Sequence, residues 1–132
     1  MKLYILSIFT VLFTSNIKAD WQEIAKAGNG HTFYVDKDDI QELNEYIYFW
    51  ELIDYSEPDI YGDKSAKIFI QGDCIRFRFK WLNFSYHKNQ MANDIAKIET
   101  PSGKMALWQY PISNSTASEV LKYACNSIGL TL

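Results

Sequence analysis

Residues 74–86 read Cys74-Ile75-Arg76-Phe77-Arg78-Phe79-Lys80-Trp81-Leu82-Asn83-Phe84-Ser85-Tyr86. Ile75, Phe77, Phe79 and Trp81 alternate here with Arg76, Arg78 and Lys80. Successive side chains of a strand point to opposite faces, so this alternation predicts a half-buried antiparallel strand. Strict alternation puts Cys74 on the basic side. If a helix carrying Cys125 covers the apolar side, either a bulge flips the phase near Cys74 or a disulfide wraps round the sheet end. The pattern leaves both open.

The covering helix is legible at the other end of the chain. Thr116-Ala117-Ser118-Glu119 matches a capping box with Thr116 as the cap. Ala117, Val120, Leu121, Ala124, Cys125 and Ile128 then recur at three- and four-residue steps, giving one apolar stripe, and Gly129 supplies a stop. A one-sided helix needs a sheet to bury it. Strands first and one terminal helix predict an α+β fold: an antiparallel β-sheet packed with a C-terminal α-helix.

Outward from residue 74, Trp21 to Ala27 and His31 to Val35 flank Gly28-Asn29-Gly30 and read as a hairpin. Asp36 to Ile40 reads as a polar turn. Leu43 to Tyr55 reads as one strand, with Tyr46, Tyr48, Trp50 and Leu52 on one face and Ile47, Phe49 and Ile53 on the other. Apolar residues on both faces predict an interior strand covered on both sides. Ser56 to Asp63 is an acidic loop carrying Tyr61, and Ala66 to Gln71 is a further strand. Gly72-Asp73 marks a turn or bulge. Met91 to Glu99 is ambiguous between strand and short helix. Lys104 to Tyr110 is the last strand candidate, ended by Pro111.

The first nineteen residues stand apart from this plan. Met1-Lys2, an apolar run from Leu3 to Phe13 and a polar stretch ending at Ala19 have the layout of a secretory signal peptide. The run is shorter than the roughly 20 apolar residues a membrane span needs. Residues 1–19 are therefore expected to be cleaved, leaving 20–132 as one domain without a stable membrane span. No cysteine follows the apolar run, so a lipid anchor of the bacterial lipoprotein type is not expected. Cleavage removes two of the 13 basic residues, leaving 11 against 16 acidic ones and a net charge of -5 over 113 residues. An acidic domain has no global attraction for nucleic acid phosphates or anionic lipid.

Export places Cys74 and Cys125 in an oxidising compartment, where a lone pair of cysteines favours a disulfide. Closing that 52-residue loop is worth roughly 4 kcal/mol in the chain-entropy picture. A redox pair would prefer Cys-x-x-Cys spacing, and zinc would need further ligands nearby.

Little else points to chemistry. Asp36, Asp38 and Asp39 fail the EF-hand pattern, which would put Gly at 41 and Glu at 47 where Gln41 and Ile47 stand. His31 and His87 belong to no ligand spacing. There is no Gly-x-Ser-x-Gly and no phosphate-cradling glycine loop. No cofactor and no catalytic residue is expected. The row Arg76, Arg78, Lys80 stands out, since like charges on one strand face repel unless answered. Acids on the adjacent strand are the bland answer, and docking of an acidic segment is the sharper one. Aromatics interleaved with such a row would suggest single-stranded nucleic acid, but within this strand they point the other way.

Several short pieces together resemble the surface-adhesin protein E family of small exported bacterial proteins. They are Trp21-x-x-Ile24, Phe33-Tyr34-Val35-Asp36 with Ile40, and Tyr48-x-Trp50-x-Leu52-x-Asp54-Tyr55. Ser65-x-Lys67, Asp73-Cys74-x-Arg76, Ser85-Tyr86, Trp108 with Pro111, and Cys125 follow in order. The resemblance implies an antiparallel sheet, a C-terminal helix and a Cys74–Cys125 disulfide. It also implies a non-enzymatic binding module, since the family is named for members that attach to host extracellular-matrix proteins and cells. The founding type is lipid-anchored, which this chain does not match, so the expected location is the periplasm or the cell surface and exterior of a bacterium. The partner is expected to be a protein, with a second copy of the chain another candidate. Arg76, Arg78, Lys80 and Tyr61 are the candidate contact residues. The competing reading is a soluble periplasmic enzyme or small-ligand carrier.

Overall fold

The computed structural model describes residues 18–129. The predicted signal peptide therefore lies almost wholly outside the described residues. Strands β1 (Trp21–Lys26), β2 (Thr32–Asp36), β3 (Gln41–Leu43), β4 (Tyr46–Asp54), β5 (Ser65–Asp73), β6 (Arg78–His87) and β7 (Ile98–Glu99) precede helix α1 (Thr116–Ser127). They form one antiparallel sheet in the order β1-β2-β4-β5-β6-β7. β2 and β3 share one edge of β4, β2 along its C-terminal half and β3 along its N-terminal half.

The helix packs against β1, β2 and β4. Val120, Leu121, Ala124 and Cys125 are buried against Val35, Ile47, Phe49 and Ile70 of the sheet. Cys74, just beyond β5, is bonded to Cys125 with their Cα atoms 5.8 Å apart. Gly72 makes the close approach workable: a Cβ there would lie 2.8 Å from Ile47 Cγ1 and 3.0 Å from Leu121 Cδ1.

Several sequence expectations change. Gly72-Asp73 is neither a turn nor a bulge but the end of β5. Cys74–Phe77 is the turn, so β6 starts at Arg78 and Arg76 is not on its face. Phe77 adopts φ 50 there, and Ile75 is 81% exposed. Cys74 needs neither a phase flip nor a wrap, because it precedes the reversal. The bulge lies further on, where Phe69 and Ile70 oppose Asn83 and Trp81 and leave Leu82 extra. It moves the inward positions from Phe79 and Trp81 to Phe84 and Tyr86.

Leu43 to Tyr55 is not one strand, because the chain reverses at Asn44-Glu45 to pair β3 with β4. Asn44 takes φ 58, a conformation its short polar side chain tolerates. Lys104 to Tyr110 is not a strand. Gly103–Ala106 is a 3₁₀ turn, and only Gln109 pairs, with Phe79. Met91 to Glu99 holds the end of a 3₁₀ turn at Gln90–Ala92, then loop, then β7. The helix cap is Ser115 rather than Thr116: its hydroxyl accepts from the Ser118 N–H at 3.1 Å.

Candidate functional site

The helix covers only one side of the sheet. On the other side β4 presents Tyr46, Tyr48 and Trp50, all half-buried. Trp50 stacks on Phe69 of β5 with centroids 4.7 Å apart, and Tyr48 lies 6.1 Å from the same ring. Trp108, held over β6 by the Gln109–Phe79 bridge, meets Tyr46 at 5.4 Å. Three cations lie on this layer: Lys67 at 4.3 Å over Trp50, and Arg78 at 4.1 Å and Lys80 at 4.7 Å over Trp108. Aromatics therefore do interleave with the basic residues, contrary to the single-strand pattern, because they arrive from β4, β5 and the 108 segment. Double-sided cover of β4 holds at its C-terminal end, where the Gln90–Ala92 turn packs on β4 and β5 and Leu52, on this outer face, is fully buried; Tyr48 and Trp50 stay half-buried.

The candidate contact residues divide. Arg76 Nη1 and Arg78 Nε reach Asp73 Oδ2 at 3.3 and 2.9 Å, so two of the three like charges are answered by one buried carboxylate within their own hairpin. Among the described residues Lys80 meets the Trp108 ring and no carboxylate. Tyr61 is exposed, in the loop after β4, with its N–H donating to Asp59 Oδ1 and its carbonyl accepting from Lys88 Nζ. It lies at the Asp54–Ser65 end of the sheet, whereas Arg76 lies at the Asp73 end. Nine-residue β5 separates those ends by roughly 27 Å. Tyr61 and the arginines are not one site.

A Ser–His–Asp constellation is present that motif scanning does not find, because it has no local signature. Ser85 Oγ lies 2.8 Å from His87 Nε2, and His87 Nδ1 lies 3.4 Å from Asp94 Oδ1 and 3.0 Å from the Asp94 carbonyl. Ser85 and His87 are buried, at 7% and 5% exposure, and Ser85 Oγ also lies 3.5 Å from the Lys67 carbonyl. Asp94 meanwhile accepts the Lys88 and Asn89 N–H groups. Met91 N–H donates to Asp54, and Ala92 N–H to Ser65 Oγ. The cluster is a hydrogen-bonded knot that fixes residues 87–94 at the sheet end. Among the described residues no three His, Cys, Asp or Glu side chains form a metal-ligand set.

The inner face holds one feature the strand reading passed over. Between Ile47, Phe49 and Ile53, all on the helix side of β4, stands Glu51, 7% exposed. Burial pushes its carboxyl up to about 8. It borders a cavity of about 260 Å³ between the sheet and one flank of α1.

The family model described as surface-adhesin protein E matches residues 21–126. Among solved structures, a second crystal form of Haemophilus influenzae protein E is similar at a TM-score of 0.64 and 12% identity, over 87% of this chain and 94% of that one. Another Haemophilus influenzae protein E structure gives 0.62 and 12%, over 86% and 89%. At that identity the likeness concerns the fold. No curated protein matches the sequence.

Proposed function

The chain belongs to the surface-adhesin protein E family, and from that premise we propose an exported, non-enzymatic bacterial binding protein that grips a protein partner with its helix-free sheet face. Residues 1–19 act as a cleaved signal peptide and 20–132 as the binding domain, presented at the cell surface. The carrying observation is the aromatic layer of Trp50, Phe69 and Trp108 crossed by Lys67 and Lys80. Large rings supply contact area at the centre of an interface, and Tyr, Trp and Arg dominate binding hot spots. Lys67 and Lys80 lie over rings with no carboxylate paired to them among the described residues. The complementary partner is therefore a protein segment carrying carboxylates beside apolar or aromatic side chains.

The test is binding of the purified protein to immobilised host extracellular-matrix proteins, with surface labelling of intact cells in parallel. Binding that drops at least tenfold in Trp50→Ala, with the fold retained, supports the reading. Undiminished binding by that variant, or protein labelled only after the outer envelope is opened, overturns it.

A further inference from the structure

We propose that the inner cavity is a binding site for a small apolar amine, whose ammonium group pairs with the Glu51 carboxyl while its hydrocarbon body fills the space beside α1.

Register on the sheet fixes the surroundings of Glu51. Its cross-strand neighbours are Val35 on β2 and Ile68 on β5, and Phe84 stands beyond Ile68 on β6. Along its own strand Phe49 and Ile53 flank it on the same face. Ala117, Val120 and Leu121 face the cavity from the helix. None of these side chains can accept or donate a hydrogen bond. The Glu51 carboxyl makes no hydrogen bond or ion pair among the described residues. Among the described residues no fully buried side-chain oxygen or nitrogen lacks a partner, so the Glu51 oxygens open onto the cavity. A carboxyl placed there can take its hydrogen bond from a ligand.

The cavity arises because the sheet is wider than its one helix. α1 packs chiefly on β1, β2 and β4, so beside its flank the inner faces of β5 and β6 border the cavity through Ile68, Phe79, Trp81 and Phe84. At about 260 Å³ it exceeds the roughly 150 Å³ that holds benzene in an engineered apolar cavity. One ring with a short tail fits.

Charge selects the head group. Tyr86 lines both this cavity and an adjoining cleft bordered by Asp59, Asp63 and Glu99. Lys97 also borders that cleft, and Lys88 pairs with Asp63 at 2.8 Å, leaving an acidic excess of one at the approach. An ammonium gives Glu51 a charge-assisted hydrogen bond, roughly twice as strong as the neutral bond an alcohol would make. A carboxylate ligand meets the acidic excess at the approach instead. The titratable groups on the cavity wall besides Glu51 are the phenols of Tyr55 and Tyr86, both raised by burial and neutral at physiological pH.

Pairing requires Glu51 to give up its proton. Below about pH 8 each bound amine therefore releases one, and affinity rises by about tenfold per pH unit up to that point. The test is titration of the purified protein with 2-phenylethylamine, 2-phenylethanol and phenylacetate, read by calorimetry and by the methyl signals of Ile53 and Ile68. The amine is expected to shift both methyl signals, to bind at least tenfold tighter than the alcohol, and to tighten as pH rises from 6 to about 8. Glu51→Gln, a neutral isostere, should weaken the amine at least tenfold and leave the alcohol unchanged. Should that variant fail to fold, the pH profile of the unmodified protein decides. A flat profile, equal affinity for amine and alcohol, or methyl signals that do not move overturns the proposal. Loss of binding at the outer face leaves each of these readouts untouched, so the two sites fail separately.

Discussion

Asp73 Oδ2 accepts a hydrogen bond from Arg78 Nε at 2.9 Å across the β5–β6 turn, and the carboxylate that receives it is 1% exposed. The Arg76 N–H donates to Oδ1 of the same side chain at 3.1 Å. Burial alone would raise the Asp73 pKa. The hydrogen bonds from the Arg76 N–H and the Arg78 and Arg76 guanidiniums outweigh it and hold the carboxyl below its ordinary value. Asp73→Ala takes the acceptor from the Arg76 and Arg78 hydrogen bonds but leaves the arginines within reach of water, so it should cost about 1–3 kcal/mol in urea melts at pH 7. A carboxylate with a depressed folded pKa stabilises fully above its unfolded value, near 3.9, and loses that contribution as pH falls through the folded one. The gap between wild type and variant should therefore narrow below about pH 4. An unchanged gap at pH 2 would show that packing, not charge, holds the turn.

Glu51 has the opposite linkage. Its folded pKa of about 8 lies above the ordinary 4.5, so between those values the unfolded chain is ionised while the folded chain holds the proton. Stability should then fall by about 1.4 kcal/mol per pH unit across that window. Glu51→Gln should match wild type near pH 4 and exceed it by roughly 3 kcal/mol at pH 7. Parallel curves for the two proteins from pH 4 to 8 would rule out a buried, protonated Glu51.

The Cys74–Cys125 bond fastens the β5 end to the helix. Replacing both cysteines by Ala should cost about 2–5 kcal/mol, and unfolded, unreduced protein should show no free thiol on titration. Beside that bond, Gly72→Ala should cost about 1–3 kcal/mol, because the added methyl meets Ile47 and Leu121. A Gly72→Ala melting curve superimposable on wild type would mean that the helix shifts freely.

The fold class was legible because it rests on periodicity. The stripe from Ala117 to Ile128 and the alternation around Phe79 each require one buried side. What escaped was set by turns. Asn44-Glu45 carries no glycine, and the reversal at Cys74–Phe77 sits inside an unbroken alternating pattern, so both read as strand. The Leu82 bulge did leave a trace: Trp81 and Leu82 are adjacent apolar residues, after which Phe84 and Tyr86 resume in the other phase. Glu51 was also visible, as the one carboxylate in the Ile47, Phe49, Ile53 series. The outer aromatic layer was only half visible, since Trp108 reaches it by a bridge that no local pattern encodes.

On that outer layer the two kinds of contact should separate by salt. Lys80 is a half-buried cation over Trp108, with no carboxylate partner among the described residues. A charge at the edge of an interface mainly speeds association, and salt screens it within about 8–10 Å. Trp50, stacked on Phe69 and covered by Lys67, contributes desolvated area instead, which salt does not weaken. Lys80→Ser should therefore slow association severalfold at low salt and have little effect at high salt. Trp50→Ala should raise the dissociation rate at both. Neither variant should lose much stability, unlike Arg78→Ser, which takes the Nε donor from the buried Asp73 carboxylate. Surface plasmon resonance at two salt concentrations, with thermal melts of all three variants, measures the whole pattern. A Lys80→Ser variant that unfolds would place that lysine in the structural network. A Trp50→Ala variant that binds normally would move the contact off this face.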